Sequence, residues 1–244
     1  MTHFNFQPIG TITSCFKEKF GIPRQSGLIP EARATLEILP PYDRPEAFRE
    51  LAEYSHIWLT FVFHANIREN WKPTVRPPRL GGNQRVGVFA SRSPFRPNPI
   101  GLSVVKLEQL DIDHGGIRLH LSGIDLLDGT PVLDIKPYLP YTDAIPDASA
   151  GYAPDPPGTP QVLTFEHQAE EVLNKLDELE STQLRKLIRQ ILEQDPRPGY
   201  RQGQPEKRCY GMRLFDYDIR WEVEHSGIRV TALVPFSTTC KSSS

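Results

Sequence analysis

The stretch IWLTFVF, from Ile57 to Phe63, consists of β-branched and aromatic residues with few polar interruptions. A short apolar run of this composition is typical of a buried strand. We predict further strands within residues 1–145, and one helix from about Pro45 to Tyr54, where a proline takes the first helical position. The predicted strands are Phe6 to Ile12, Thr35 to Leu39, Arg85 to Ala90, Leu102 to Leu110, Ile117 to Leu121 and Val132 to Ile135. Many short strands with few helices indicate a closed barrel or a sandwich rather than a parallel α/β sheet.

A second unit is predicted at residues 163–244, after a linker at residues 146–162 that is rich in Pro, Asp, Ala, Ser and Gly. From Glu166 to Gln194, apolar residues recur at three- and four-residue spacing, which predicts helix with a break near Ser181-Thr182. The strand-like runs that follow are Cys209 to Phe215, Tyr217 to Glu224 and Ile228 to Pro235. The chain is therefore predicted to be mainly β, with a β-rich N-terminal domain and a small α+β C-terminal domain.

The composition excludes some classes of protein. No apolar run approaches the roughly 18–20 residues of a membrane helix, so no membrane partner is expected. The first residues lack the basic and apolar pattern of a signal peptide. Three widely spaced cysteines, Cys15, Cys209 and Cys240, favour neither a disulfide framework nor a structural zinc site, and indicate a cytoplasmic protein. The 24 prolines argue against an all-helical bundle, because proline breaks helices and shapes loops.

Charge is distributed unevenly along the chain. The formal net charge is −2, yet the segment from Arg68 to Arg96 holds seven Arg or Lys residues against one acid, Glu69. Arginine-rich segments suit bidentate contacts with phosphate, so this segment is a candidate for binding nucleic acid. A solvated loop without such a role is the alternative interpretation.

Sequence fingerprints for common cofactors are missing. There is no G-x-G-x-x-G after a strand and no H-E-x-x-H, and the seven histidines lack metal-ligand spacing, so no metal is expected. Polar clusters in loops remain, chiefly Gly21 to Leu28 with Arg24 and Gln25, and Ser91 to Gly101. Three prolines fix the shape of the second loop, which favours a preorganised site, although a surface ion pair would also explain any single arginine there.

Five segments together resemble a known family. The segments PRQSG (Pro23 to Gly27), RSPFRPNPIG (Arg92 to Gly101) and DLLDGTPVLDIKPY (Asp125 to Tyr138) are similar, in order and spacing, to the TsaA-like family. LGGN (Leu80 to Asn83) and DPRPGYR (Asp195 to Arg201) resemble its bacterial two-domain members, the TrmO-type tRNA methyltransferases. The resemblance covers nearly the whole chain.

The resemblance implies a fold, an activity and partners. The N-terminal domain is expected to be a single-sheeted β-barrel that binds S-adenosylmethionine. The implied reaction adds a methyl group to N6 of N6-threonylcarbamoyladenosine at position 37 of threonine tRNA, in the anticodon loop, and the family members act as homodimers. The cofactor-binding residues carried over are Pro23, Arg24, Gln25, His64, Ala65, Arg92, Leu102, Asp125, Leu126, Leu127 and Asp128.

Candidates for the chemistry follow from what methyl transfer to an amide-like nitrogen requires. Asp134, Lys136 and Tyr138 are candidates for accepting the proton. An unpaired base can stack on an aromatic ring while arginines hold the phosphates. The candidates for tRNA contact are Arg76, Arg79, Arg85, Arg197 and Tyr200, with Trp71 as a further stacking candidate or a loop-packing residue. A non-catalytic RNA-binding barrel and a methyltransferase for small molecules are the alternative functions.

Overall fold

The computed structural model of the chain describes residues 3–155, 162–178, 183–197, 208–224 and 227–236. Its N-terminal part is a closed six-stranded barrel formed by antiparallel pairs. The barrel strands are β1 Gly10–Ser14, β2 Arg33–Ile38, β3 His56–Val62, β6 Ile100–Asp113, β7 Gly116–Ser122 and β8 Pro131–Pro137, in the order β1-β2-β7-β6-β3-β8. Between β3 and β6, a two-stranded sheet pairs β4 Thr74–Val75 with β5 Val86–Gly87, and the short helix α1 Pro140–Asp143 follows β8.

Strict alternation along β3 shows how the barrel is filled. Ile57, Leu59 and Phe61 are buried inside, whereas Trp58 and Thr60 between them face outward. Because β3 pairs with both β6 and β8, its inward residues meet those of the other strands in one core. Each fully buried side chain of this size stabilises the fold by roughly 1.5–3 kcal/mol. The predicted barrel in a mainly β chain is confirmed.

Two local predictions in the N-terminal part are wrong. The helix predicted from Pro45 to Tyr54 is two short 3-10 helices, because the backbone turns extended at Arg49 (ψ 133°) and left-handed at Glu50 (φ 67°). The strand predicted from Arg85 to Ala90 contributes only β5, which pairs with β4 outside the barrel, and then becomes a 3-10 turn.

The C-terminal part packs two helices against a four-stranded sheet of order β10-β11-β12-β9. Its elements are β9 Leu163–Phe165, α2 His167–Glu178, α3 Leu184–Glu193, β10 Cys209–Leu214, β11 Tyr217–Glu224 and β12 Gly227–Pro235. The small α+β part was predicted, but the strand β9, which runs parallel to β12, was not. The predicted helix break at Ser181-Thr182 and the residue Cys240 lie outside the described residues.

The two parts share one hydrophobic core. Phe16, fully buried, bridges to Leu214 of β10, and the amide of Phe215 donates to the carbonyl of Cys15 at 2.9 Å. The N-terminal and C-terminal parts are also joined by the amide of Glu31, which donates to Oε1 of Gln190 on α3 at 3.1 Å. None of the helices among the described residues is long and apolar enough to span a membrane.

Candidate active site

A cleft of about 830 Å³ opens where the ends of β3 and β6 meet three loops of the barrel. Its volume lies in the range of ordinary small-molecule sites. Residues predicted from the sequence as cofactor-binding converge on it from segments far apart in the chain. Those that line it are Pro23, Arg24, Gln25, His64, Ala65, Arg92, Leu102, Asp125, Leu126 and Leu127.

Asp128 is the predicted cofactor residue that does not line the cleft. Its Oδ1 accepts a hydrogen bond from the amide of Ser14 at 2.8 Å, and its Oδ2 pairs with Nζ of Lys17 at 2.9 Å. Asp128 therefore ties the loop before β8 to the end of β1. The structure assigns it to the shape of the loop rather than to the wall of the cleft.

The carboxylate of Asp125 is held in a poorly solvated position. Burial raises its pKa, and this effect exceeds the opposing hydrogen bonds from Ser103 and the amide of Ser26 and the charge of Arg92. The hydroxyl of Ser103 donates to Oδ1 of Asp125 at 2.7 Å. A carboxylate in such a position interacts strongly with a cation that enters the cleft, because little water screens the attraction.

Two arginines from other loops also line the cleft, and the charge of one of them, Arg92, acts on Asp125. Nη1 of Arg92 donates to Oε1 of Gln25, which joins the two loops that carry the family motifs. Nη2 of Arg24 donates to the carbonyl of Arg197 at 3.4 Å. Burial lowers the pKa of Arg24, and the charge of Arg79 lowers it further although Asp195 opposes both. The cleft thus offers cationic groups beside an anionic one.

Hydrogen bonds within the loop that carries Arg92 hold this loop rigid. Nη1 of Arg96 donates to the carbonyl of Ser91 at 2.8 Å, and the amide of Ser93 donates to Oγ of Ser91 at 3.3 Å. Arg96 is therefore occupied within the loop, whereas Arg92 points to Gln25 and the cleft. This arrangement fits the preorganised loop inferred from its prolines.

An apolar wall of the cleft was missed from the sequence. The rings of Phe61 and Phe63 lie 5.1 Å apart, edge to face, and both line the cleft. Gly101 pairs with Phe61 across β3 and β6, and a Cβ there would stand 2.2 Å from the ring. The glycine of the family motif thus leaves room for the ring. Only the strand register reveals this relation.

Of the three candidates for accepting a proton, Tyr138 lines the cleft. Its ring lies 5.9 Å from that of Trp58, another lining residue. Asp134 and Lys136 form an exposed ion pair of 2.7 Å on β8 and are not among the lining residues. Lys136 lies opposite Trp58 in the strand register, so the pair is on the outer face of the barrel near the cleft.

A second cavity, of about 1400 Å³, adjoins the first, and we call it the basic cavity. Arg24, Gln25, Ser91, Arg92 and Pro94 line both. The predicted tRNA-contacting residues Arg76, Arg79 and Arg85 line the basic cavity, together with residues 150–155 of the predicted linker. Within the described residues, none of the cations from Arg68 to Arg96 has a carboxylate at ion-pair distance.

The remaining predicted tRNA contacts are placed differently. Arg197 is 1% exposed, and its guanidinium donates to both carboxylate oxygens of Asp195, at 2.8 and 2.7 Å. A group buried in this way is not presented to RNA, so the structure does not support the predicted contact of Arg197. Tyr200 lies outside the described residues, as does the rest of its motif beyond Arg197.

Comparison with protein families now accounts for both parts of the chain. The family model described as the tRNA-methyltransferase O N-terminal domain matches residues 11–144, and the TrmO C-terminal domain matches residues 159–236. The chain belongs to the TrmO family. The resemblance of the motifs is thereby confirmed.

Relatives and solved structures of the TrmO family resemble the chain over nearly its full length. The tRNA (adenine(37)-N6)-methyltransferase of Escherichia coli K12 is 47% identical over 96% of this chain and 100% of its own. A putative S-adenosylmethionine-dependent methyltransferase of Pseudomonas aeruginosa, RcsF, is 52% identical over 91% of this chain and 93% of its own. The crystal structure of TrmO from Pseudomonas aeruginosa superposes with a TM-score of 0.79 at 45% identity, covering 96% of this chain and 99% of that one.

Proposed function

We propose that the chain transfers the methyl group of S-adenosylmethionine to N6 of adenine 37 in tRNA. The observation that carries the proposal is the convergence of three family motifs, at Pro23 to Gly27, Arg92 to Gly101 and Asp125 to Tyr138, on one cleft beside a basic cavity. The name of the Escherichia coli relative, which is similar over its whole length, supports the same reaction. We further propose that the base carries a threonylcarbamoyl group, that the tRNA is threonine tRNA, and that the reaction takes place in the cytoplasm without a metal.

The residues of the cleft fit S-adenosylmethionine chemically. The molecule presents a carboxylate, cationic centres and a flat aromatic base. Arg24 and Arg92 suit the carboxylate, and Asp125 suits a cation. Phe61, Phe63 and Leu126 offer apolar surface for the base. When bound, the cofactor supplies a methyl group that is already activated on a sulfonium.

The work of the protein is then mainly to orient two reactants and to exclude water. The Arg92 loop, held by its internal hydrogen bonds, fixes one wall, and the Ser103–Asp125 pair fixes another. Correct placement of two reactants can lower a barrier by several kcal/mol without a covalent intermediate. A proton also has to leave N6 as the new bond to carbon forms. Of the three candidates, we assign Tyr138 to this step, because its hydroxyl-bearing ring lines the cleft. Its hydroxyl oxygen accepts a hydrogen bond from N6–H, and the proton passes to water as the new bond to carbon forms.

We propose that the basic cavity holds the anticodon loop. Arg76, Arg79 and Arg85 line it without ion-pair partners among the described residues, so their charges are available to phosphates. Arg79 is oriented by the carbonyl of Asp155, and Nη1 of Arg85 donates to the hydroxyl of Thr74 at 3.3 Å. Because the two cavities share Arg24 and Arg92, a base in the cleft would have its flanking nucleotides in the basic cavity.

We also propose that the chain acts as a homodimer. The outer face of the barrel beside the cleft exposes apolar side chains, including Leu102 at 57% and Ile100 at 38%. Since both also line the cleft, a second copy that covers this face would complete its wall. Sedimentation of the purified protein measures this directly, and a monomer at micromolar concentration would contradict it.

The deciding experiment uses methyl-labelled S-adenosylmethionine, the purified protein and tRNA from a bacterial strain that lacks the gene. Nucleoside mass spectrometry should show a methylated threonylcarbamoyladenosine, and an unmodified tRNA transcript should stay unlabelled. RNA binding without methyl transfer would instead favour the non-catalytic RNA-binding module. Transfer to a small acceptor in the absence of RNA would favour a small-molecule methyltransferase.

A further inference from the structure

Phe89 is an aromatic side chain displayed to solvent on a rigid support. It is 71% exposed, whereas the preceding Val88 is 1% exposed and anchors the same 3-10 turn, Val88–Ala90. The amide of Val88 donates to the carbonyl of Pro73 at 2.9 Å, and the hydroxyl of Ser91 donates to the carbonyl of Val88 at 2.8 Å. The ring is therefore held outward by a fixed backbone and is not a side chain of a loose loop.

The surroundings of Phe89 combine a second ring with positive charge. Trp71, 48% exposed, has its ring centroid 6.2 Å from that of Phe89, and the planes are inclined by 32°. The guanidinium carbon of Arg96 lies 5.6 Å from the Phe89 centroid. Phe89 also lines the basic cavity, together with Arg76, Arg79 and Arg85, which have no ion-pair partner among the described residues. Exposed rings beside unneutralised cations are complementary to a chain of bases and phosphates.

We propose that Phe89 is the stacking platform for a base that flanks the methylated adenine. The turn that carries it runs directly into Ser91 and Arg92, which line both cavities, so a nucleotide at Phe89 is the neighbour of one in the cleft. This assignment rests on the proposed function, since it requires an RNA substrate. It adds a base-stacking residue to the lining of the basic cavity, where Arg76, Arg79 and Arg85 are proposed to contact phosphates.

A flat ring binds any base through its face, so Phe89 serves affinity and positioning and does not read sequence. Truncation of such a ring costs about 5- to 150-fold in affinity, the equivalent of one stacked base. The cost should disappear when the RNA has no base at the stacked position. This coupling between one side chain and one base separates stacking from a general loss of RNA affinity.

The test measures binding of a synthetic anticodon stem-loop to the full chain carrying Phe89→Ala, Phe89→Tyr or Tyr141→Ala. Tyr141 is a matched control, because it is 85% exposed but lies on α1 and lines neither cavity. We expect Phe89→Ala to weaken binding about tenfold, while Phe89→Tyr and the control stay within about twofold of the wild type. With an abasic nucleotide on one side of adenine 37, the wild type should bind no better than Phe89→Ala.

Several outcomes would overturn the assignment. Phe89→Ala could bind as the wild type does, or could lose the same factor with every abasic RNA, and either result excludes base stacking. A change in sedimentation of Phe89→Ala would show instead that a second copy of the chain covers the ring. Methyl transfer by the wild type is measured in parallel. Transfer without a Phe89 effect rejects the stacking platform alone, whereas absence of both transfer and RNA binding rejects the proposed function as well.

Discussion

The hydroxyl of Ser103, on the barrel strand β6, donates a hydrogen bond of 2.7 Å to Oδ1 of Asp125, in the loop that follows β7. Ser103 is itself buried, at 4% exposure. The bond holds the carboxylate in the lining of the cleft and stabilises its charged form, yet burial still raises the pKa of Asp125. A buried carboxyl group whose pKa is raised in a cleft is expected to serve a ligand rather than the fold.

The first prediction follows from the sign of that shift. The pKa of this carboxyl group is higher in the folded state than in the unfolded state, where it is about 4. Its protonated form therefore stabilises the fold at a pH below about 4, and this contribution is lost as the pH rises through the pKa of the folded state. Asp125→Asn cannot ionise, so its free energy of unfolding at neutral pH should equal or exceed that of the wild type. Its affinity for S-adenosylmethionine should fall at least about tenfold, because the charge is missing. Urea unfolding at pH 7 and calorimetric titration measure the two effects.

Asp113→Asn is the control, since Asp113 forms a surface ion pair with Arg118 on the hairpin between β6 and β7. It should leave cofactor affinity unchanged. A strong loss of stability in Asp125→Asn with normal cofactor affinity would show that the carboxylate supports the fold instead.

The second prediction concerns Arg92, which reaches Gln25 across the cleft. Arg92→Ala should reduce cofactor affinity about 10- to 100-fold, as expected for the loss of charge-assisted hydrogen bonds. The fold should persist, because the loop is held by Arg96 and Ser91. Calorimetry and circular dichroism test both parts. An unchanged dissociation constant would remove Arg92 from the cofactor site.

How far the fold follows from the sequence depends on the element. The strand at Ile57 to Phe63 was predicted because a run of β-branched and aromatic residues is stable only when it is buried in a core. The strand predicted from Arg85 to Ala90 is only two residues long in the structure. Val86 and Val88 alternate with other residues as in a half-buried strand, but of the residues from Arg85 to Ala90 Val88 alone is buried. The strand β9 was not predicted. It has only three residues, and its pairing with the distant β12 leaves no pattern of apolar and polar residues in the local sequence.

The site shows a similar division. Arg24, Arg92 and Asp125 lie in contiguous motifs, so the resemblance located them before the structure brought them to one cleft. Ser103 and Phe61 lie on strands and show no motif of their own. Their place in the cleft depends on the register of β3 against β6, which side-chain chemistry alone does not specify.

The third prediction tests the basic cavity through Arg79. Arg79→Ala should weaken tRNA binding and should lower the slope of log affinity against log salt by about one, the expectation for one lost phosphate contact. Arg220→Ala is the control, because Arg220 is an exposed arginine of the C-terminal sheet that is paired with Asp218. Filter binding over a salt series measures both. An unaltered slope would exclude a phosphate contact at Arg79.

The fourth prediction separates the candidates for proton removal. Tyr138→Phe should lower the single-turnover rate of methyl transfer about 100-fold with little effect on cofactor affinity, since a side chain that assists proton transfer typically contributes at least this factor. Asp134→Asn and Lys136→Ala should stay within about threefold of the wild type, because an exposed ion pair contributes little. Single-turnover methyl transfer with saturating cofactor measures the chemical step. A larger loss in Asp134→Asn would transfer the role to that carboxylate.

The last prediction distinguishes a structural from an RNA-binding role of Arg197. The side chain is buried with Asp195, whose backbone is left-handed (φ 43°), and Arg24 donates to the Arg197 carbonyl. Removal of Arg197 takes the hydrogen-bonded cation away from the buried Asp195. Arg197→Met should therefore lower the free energy of unfolding by up to about 3–5 kcal/mol, less the part that the nearby charge of Arg24 offsets. The double variant Asp195→Asn/Arg197→Met should recover part of this loss. At a temperature where the single variant is folded, its tRNA affinity should match the wild type. Normal stability with weakened tRNA binding would restore the contact inferred from the sequence.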